Sequence, residues 1–149
     1  MASKADELAL DHVFWNGISA NEEFRRAFLL RTKFRSRNLE LIREKKWHQR
    51  WYKDPETGIE SETDITLILR DVDSDERVAV HIENKPAHRE WERGQAANYR
   101  KRALNRQEKW KHRDHQVALL APASFIADCM DKEAEQFDLS VPYEYIGQY

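Results

Sequence analysis

Two apolar runs of strand length, with a short acidic turn between them and a helical pattern behind them, constrain this chain more than any other feature. The first run is Asp64-Ile65-Thr66-Leu67-Ile68-Leu69 and the second is Val78-Ala79-Val80-His81-Ile82-Glu83-Asn84-Lys85-Pro86. Both are rich in β-branched residues, and Asp71-Val72-Asp73-Ser74-Asp75-Glu76 separates them, so together they predict a β-hairpin. Side chains alternate along a strand, which puts His81, Glu83 and Lys85 on one face of theirs and Glu62, Asp64 and Thr66 on one face of the other. A register that sets Asp64 beside Glu83 would bring two carboxylates and an amine to one end of the sheet. Like charges a few ångströms apart repel strongly in a shielded site, so the cluster costs free energy unless a cation neutralises the acids.

The rest of the chain supplies elements that fit around this hairpin. Residues 6–15 predict a short helix with Leu8, Leu10, Val13, Phe14 and Trp15 as apolar positions, broken at Gly17. Asn21 suits an N-cap, and Glu22 and Glu23 fall in the first turn, where the helix dipole favours acids. Phe24, Ala27, Phe28 and Phe34, with Leu30 beside them, recur at helical spacing as a core stripe. Trp47, Gln49 and Trp51 alternate with His48, Arg50 and Tyr52 as a first strand. The turn Asp54-Pro55-Glu56-Thr57-Gly58 leads from it into the strand from Glu60 to Leu69. Pro86 closes the third strand, and a helix is expected from about Ala87 to about Lys111, with Gln95 and Tyr99 sharing a face. Gln116-Val117-Ala118-Leu119-Leu120-Ala121 reads as a buried strand closed by Pro122. Ser124 can cap a further helix with Phe125, Ile126, Cys129 and Met130 as its apolar face. Val141 to Ile146 alternates like an edge strand. The expectation is one α/β domain over residues 1–149, a mixed central sheet flanked by helices.

Composition narrows the setting. A chain of 149 residues can bury a single core. Charged residues make up 35%, yet 40% apolar residues and five Trp argue against disorder. No run approaches the roughly 20 apolar residues that span a bilayer, and the first residues lack the apolar core of a signal peptide. Cys129 is the single cysteine, which excludes an internal disulfide and a thiolate metal cluster. A cytoplasmic, reducing setting is the expectation. The net charge of -2 hides a division into segments. Residues 25–53 hold 11 Lys and Arg against Glu40 and Glu44, and residues 85–113 hold 10 against Glu90, Glu92 and Glu108. Two basic segments flanking an acidic hairpin suit a site that attracts a phosphate backbone, although solvated helix faces would leave the same pattern.

An Asp followed by Glu-x-Lys on the next strand, here Asp64 and Glu83-Asn84-Lys85, resembles the PD-(D/E)XK nuclease superfamily. Gln95-Ala96-Ala97-Asn98-Tyr99 on the following helix is similar to the Gln-x-x-x-Tyr motif of its RecB-like branch. The resemblance covers residues 47–121 by motif and order. Thr63 stands where the family name has Pro, a turn feature and no chemical participant. The resemblance implies a restriction-endonuclease-like αβββαβ core and metal-dependent hydrolysis of DNA phosphodiesters. It implies Asp64 and Glu83 as ligands of Mg²⁺ or Mn²⁺, with the carbonyl of Asn84 as a third, since hard cations take oxygen ligands. Lys85 would orient the attacking water or stabilise charge at phosphorus. Gln95 and Tyr99 would contact substrate or brace the site, and Arg93, Arg100, Arg102 and Arg106 on the same helix would meet the nucleic acid. A further acid often comes from the first core helix of such enzymes. Glu23 is the candidate, ahead of Glu22, with plain dipole complementation as the simpler account.

Other readings compete. The same fold retained as a catalytically inactive module would bind DNA or a partner protein, but a buried carboxylate pair is expensive to keep without a metal. An RNase or nucleotide hydrolase would differ only in substrate. The substrate groove would be built by one chain or by a homodimer, with no membrane partner. Asp71-x-Asp73-x-Asp75 resembles the start of a calcium loop but lacks the glycine and the closing Glu that an EF-hand needs. His81 reads as a satisfied, half-buried histidine. His112-x-x-His115 lacks a companion ligand, which argues against zinc.

Overall fold

The computed structural model describes residues 4–43, 47–58, 60–85, 101–104, 112–128 and 137–146. Helix α1 spans Lys4–Ala20 and α2 spans Glu22–Leu29. The strands are β1 (Leu39–Ile42), β2 (His48–Lys53), β3 (Glu60–Asp71), β4 (Arg77–Asn84), β5 (Asp114–Ala121) and β6 (Leu139–Pro142). Residues 101–104 are helical, and short helices α3 (Ala123–Asp128) and α4 (Tyr143–Ile146) flank β6. The sheet runs in the order β1-β3-β4-β5-β6, and β2 also pairs with β3. β1, β2 and β4 are antiparallel to β3, while β4, β5 and β6 run parallel, so the sheet is mixed.

Strand alternation divides the core in two. Ile65, Leu67, Leu69, Val78, Val80, Ile82, Ala118, Leu120 and Val141 face the helix pair and pack with Phe14, Ile18, Phe24, Phe28 and Phe34. Val117, Leu119 and Ala121 point the other way, against Ala103, Phe137 and the flanking Phe125 and Ile126. Helical residues therefore cover both faces, as a central sheet with near-continuous apolar strands requires.

The helix pair differs from the sequence expectation at Gly17, which stays inside α1. A Cβ on Gly17 would lie 2.6 Å from Cε1 of Phe24, so the glycine serves close packing of α1 on α2 and does not end the helix. Asn21 caps α2 as expected, its Oδ1 accepting the Phe24 N–H at 3.0 Å. Leu30 leaves the stripe and is exposed. Two other expectations change. Leu39–Ile42 forms an edge strand that its four residues do not announce. Val141 to Ile146 is half strand and half helical turn, because β6 starts at Leu139 and gives way to α4 at Tyr143.

Candidate active site

The hairpin register decides whether the acids meet. β3 and β4 pair from Ile65 with Ile82 to Arg70 with Arg77, so Asp64 and Glu83 fall opposite one another one step beyond. Both are buried, as is Lys85 just past β4. Asp64 and Glu83 are hydrogen-bonded through their side chains. Lys85 Nζ lies 3.6 Å from Glu83 Oε1, with both side chains nearly inaccessible to solvent. The three charged groups are thus brought together at one end of the sheet, on the face opposite the helix pair.

Electrostatics make this end of the sheet costly. Burial pushes the Asp64 carboxyl well above its ordinary range, and the charges of Glu83 and then Asp11 push it further in the same direction. The backbone N–H of Asn84 opposes them by donating to Asp64 Oδ2 at 2.9 Å. A proton is thereby favoured between the two carboxylates, in the place where a cation would serve them equally well.

Asp11 is a member of the cluster that its sequence position did not single out. It is 1% exposed on α1, and its Oδ1 accepts the side-chain amide of Asn84 at 2.8 Å. Its Oδ2 lies 2.8 Å from Nε2 of His48 at the start of β2. A chain of contacts therefore runs His48–Asp11–Asn84–Asp64 and ties α1 and β2 to the hairpin. The signal was available: Asp11 sits three residues before Phe14 and seven before Ile18, on the buried stripe of its helix, where an unpartnered acid is rare.

Glu23 is placed elsewhere. It is exposed in the first turn of α2 and lines a surface cleft of about 720 Å³ with Ala20, Asn21, Glu22 and Arg26. The acid that α1 sends to the cluster is Asp11. Arg102 is buried, its Nε donating to Thr63 Oγ1 at 3.1 Å, so it braces the helical residues 101–104 against β3. Gln95, Tyr99, Arg93, Arg100 and Arg106 lie outside the described residues.

The donor set suits a hard divalent cation. Asp64 and Glu83 supply carboxylate oxygens already held against one another, and Asn84 is fixed between them at the strand end. Mg²⁺ and Mn²⁺ take few protein oxygens and complete their shell with water, so two carboxylates suffice. Among the described residues, no group of three or more His, Cys, Asp or Glu stands ready to hold a metal ion as it is. No helix among them is long and apolar enough to cross a membrane. Comparison with family models, with curated proteins and with solved structures finds no match to the chain.

Proposed function

We propose that this chain is a divalent-metal-dependent nuclease of the PD-(D/E)XK type, acting on DNA. One observation carries the reading: Asp64, Glu83 and Lys85, remote in kind from a hydrophobic sheet end, are buried together there with the two acids hydrogen-bonded to each other. Structure-stabilising surface ion pairs are exposed and solvated; a buried acid pair beside a buried amine is destabilising unless it has work to do.

Asp64 and Glu83 would hold Mg²⁺ or Mn²⁺, which when bound polarises the phosphodiester and lowers the pKa of a coordinated water. Lys85 Nζ, 3.6 Å from Glu83 Oε1, would be positioned to stabilise negative charge as it develops on the scissile phosphate. Asp11 and Asn84 hold the strand end rigid, so that Asp64 accepts the Asn84 N–H in one fixed orientation. Burial of Asp64, Glu83 and Lys85 at the strand ends strengthens each of these interactions.

The test is incubation of linear, circular and single-stranded DNA with Mg²⁺ or Mn²⁺, wild type beside Lys85→Ala. Metal-dependent cleavage that the substitution abolishes is the expected result. DNA binding without cleavage, equal in both proteins, would replace the enzyme with an inactive binding module.

A further inference from the structure

The loop that follows α2 leaves a groove at the opposite end of the hairpin from the acids. Arg37 holds Asp71 and Glu76 at the β3–β4 turn, and the Lys33 N–H donates to Gln116 Oε1 near the start of β5 at 3.0 Å. Glu83 lies seven residues beyond Glu76, on the order of 20 Å away along a strand. The groove has a volume of about 480 Å³. Part of its lining is apolar, from half-buried Leu29 and Leu39 and buried Phe34. Leu30, 62% exposed, adds to it and has no place in the core.

Four guanidinium groups line the same groove against one carboxylate, Glu22. They are not equivalent. Arg37 is neutralised by Asp71 and Glu76. Arg25 Nη1 donates to the Ile18 carbonyl at 2.7 Å, which orients the group and leaves its charge uncompensated. Arg26 and Arg35 are exposed, and among the described residues Arg25, Arg26 and Arg35 make no ion pair. Glu22 stands four residues before Arg26, a spacing at which helical ion pairs form, and yet the two are unpaired among the described residues. The loop that carries Arg35 is fixed: Thr32 Oγ1 donates to the Leu29 carbonyl at 2.7 Å and accepts the Phe34 N–H at 3.2 Å. Three like charges around one concavity repel one another, and an anion placed between them relieves that repulsion.

We propose that this groove binds a nucleotide, its phosphate among Arg25, Arg26 and Arg35 and its base against Leu29, Leu30 and Leu39. A guanidinium presents a planar fork of donors that matches phosphate oxygens, and it keeps its charge across the physiological pH range. The volume falls within the roughly 300–1,000 Å³ of small-ligand sites, which combine an apolar lining with a few placed polar groups. That lining is what separates a nucleotide from bare phosphate, because only a base makes use of Leu30. Because the Lys33–Thr32 backbone and the Arg25 side chain are already held, little ordering is needed on binding.

The site is tested in EDTA and without cleavage, so its failure leaves the nuclease reading untouched. Isothermal titration calorimetry of the full chain compares 5′-deoxyadenosine monophosphate with inorganic phosphate and with unphosphorylated deoxyadenosine. One equivalent of the nucleotide per chain is expected, bound more tightly than either part and more weakly as salt rises. Arg35→Ala and Arg26→Ala, both at exposed positions, should each weaken it about tenfold, the loss of one charge-assisted hydrogen bond. Lys33→Ala removes an equal charge outside the groove, from a residue paired with Asp114, and should leave the affinity unchanged. No binding, phosphate or deoxyadenosine bound as tightly as the nucleotide, or equal losses in Lys33→Ala and Arg35→Ala would overturn the proposal. A tetranucleotide bound more than about tenfold more tightly than the mononucleotide would replace the single-nucleotide site with a strand-binding surface.

Discussion

The side-chain amide of Asn84 donates to Asp11 Oδ1 at 2.8 Å while its backbone N–H donates to Asp64 Oδ2 at 2.9 Å. One residue thus grips an acid of α1 with its side chain and an acid of β3 with its backbone. The first helix is coupled to the acid-bearing end of the hairpin through this residue, and Asp11 acts on Asp64 both through it and through charge.

Replacing Asp11 by Ala strips the partner from the Asn84 amide and from His48. Leaving a buried donor unsatisfied costs about 1–3 kcal/mol, which chemical denaturation will measure. Cleavage should fall about 10–100-fold, as for losses in the outer shell of a metal site. Asp11→Asn, which keeps an acceptor oxygen for the amide, should recover most of the stability.

The pH dependence of Asp64 has a definite sign. Its folded carboxyl titrates well above the ordinary value of 3.8, so the native state holds a proton that the unfolded chain has lost. That contribution is fully present below 3.8 and is lost as pH rises through the raised folded value. Metal-free wild type should therefore lose stability relative to Asp64→Asn as pH rises above the ordinary carboxylate range. Mg²⁺ or Mn²⁺ should restore it at the alkaline end of the series in wild type alone. Parallel thermal melts of the two proteins, with and without metal, check both statements.

Arg37 and Asp71 give the opposite slope. Arg37 Nε sits 2.6 Å from Asp71 Oδ2, and Nη2 of the same guanidinium sits 3.0 Å from Glu76 Oε2. The hydrogen bond from Arg37 holds the Asp71 carboxyl below its ordinary range, helped by the Asp73 N–H. Its stability is present above the unfolded value of 3.8 and lost as pH falls through the lowered folded one. Arg37→Ala should melt below wild type at neutral pH, with the gap closing under acid conditions in melts run from pH 7 downward.

Gly17→Ala should destabilise the protein despite the better helix propensity of alanine. Propensity gains about 0.5–1 kcal/mol, whereas the new methyl meets the buried Phe24 ring at 2.6 Å. Overpacking of that kind costs about 1–3 kcal/mol, so a net loss is expected in denaturant titration. Pairing it with Phe24→Leu should return part of the loss.

Local pattern made much of this molecule legible. The β-branched runs of β3 and β4, the acidic turn between them, the Asn21 cap and the Phe24–Phe28 stripe all follow from rules that act within a few residues. That Glu83 and Lys85 share a face was equally visible, because alternation along one strand fixes which side chains point the same way. What a four-residue edge strand or a glycine inside a helix would do was not visible, since a partner remote in sequence decides both.

The sequence by itself determined the elements, the two faces of each strand and the identity of the charged groups that could meet. Tertiary structure alone decided that Asp11 reaches the acid pair from α1 while Glu23 stays exposed on α2, and that Arg102 turns inward to Thr63. The physical reason is the same in each case: periodicity is a property of one element, whereas register and helix placement are set by burying apolar surface between elements.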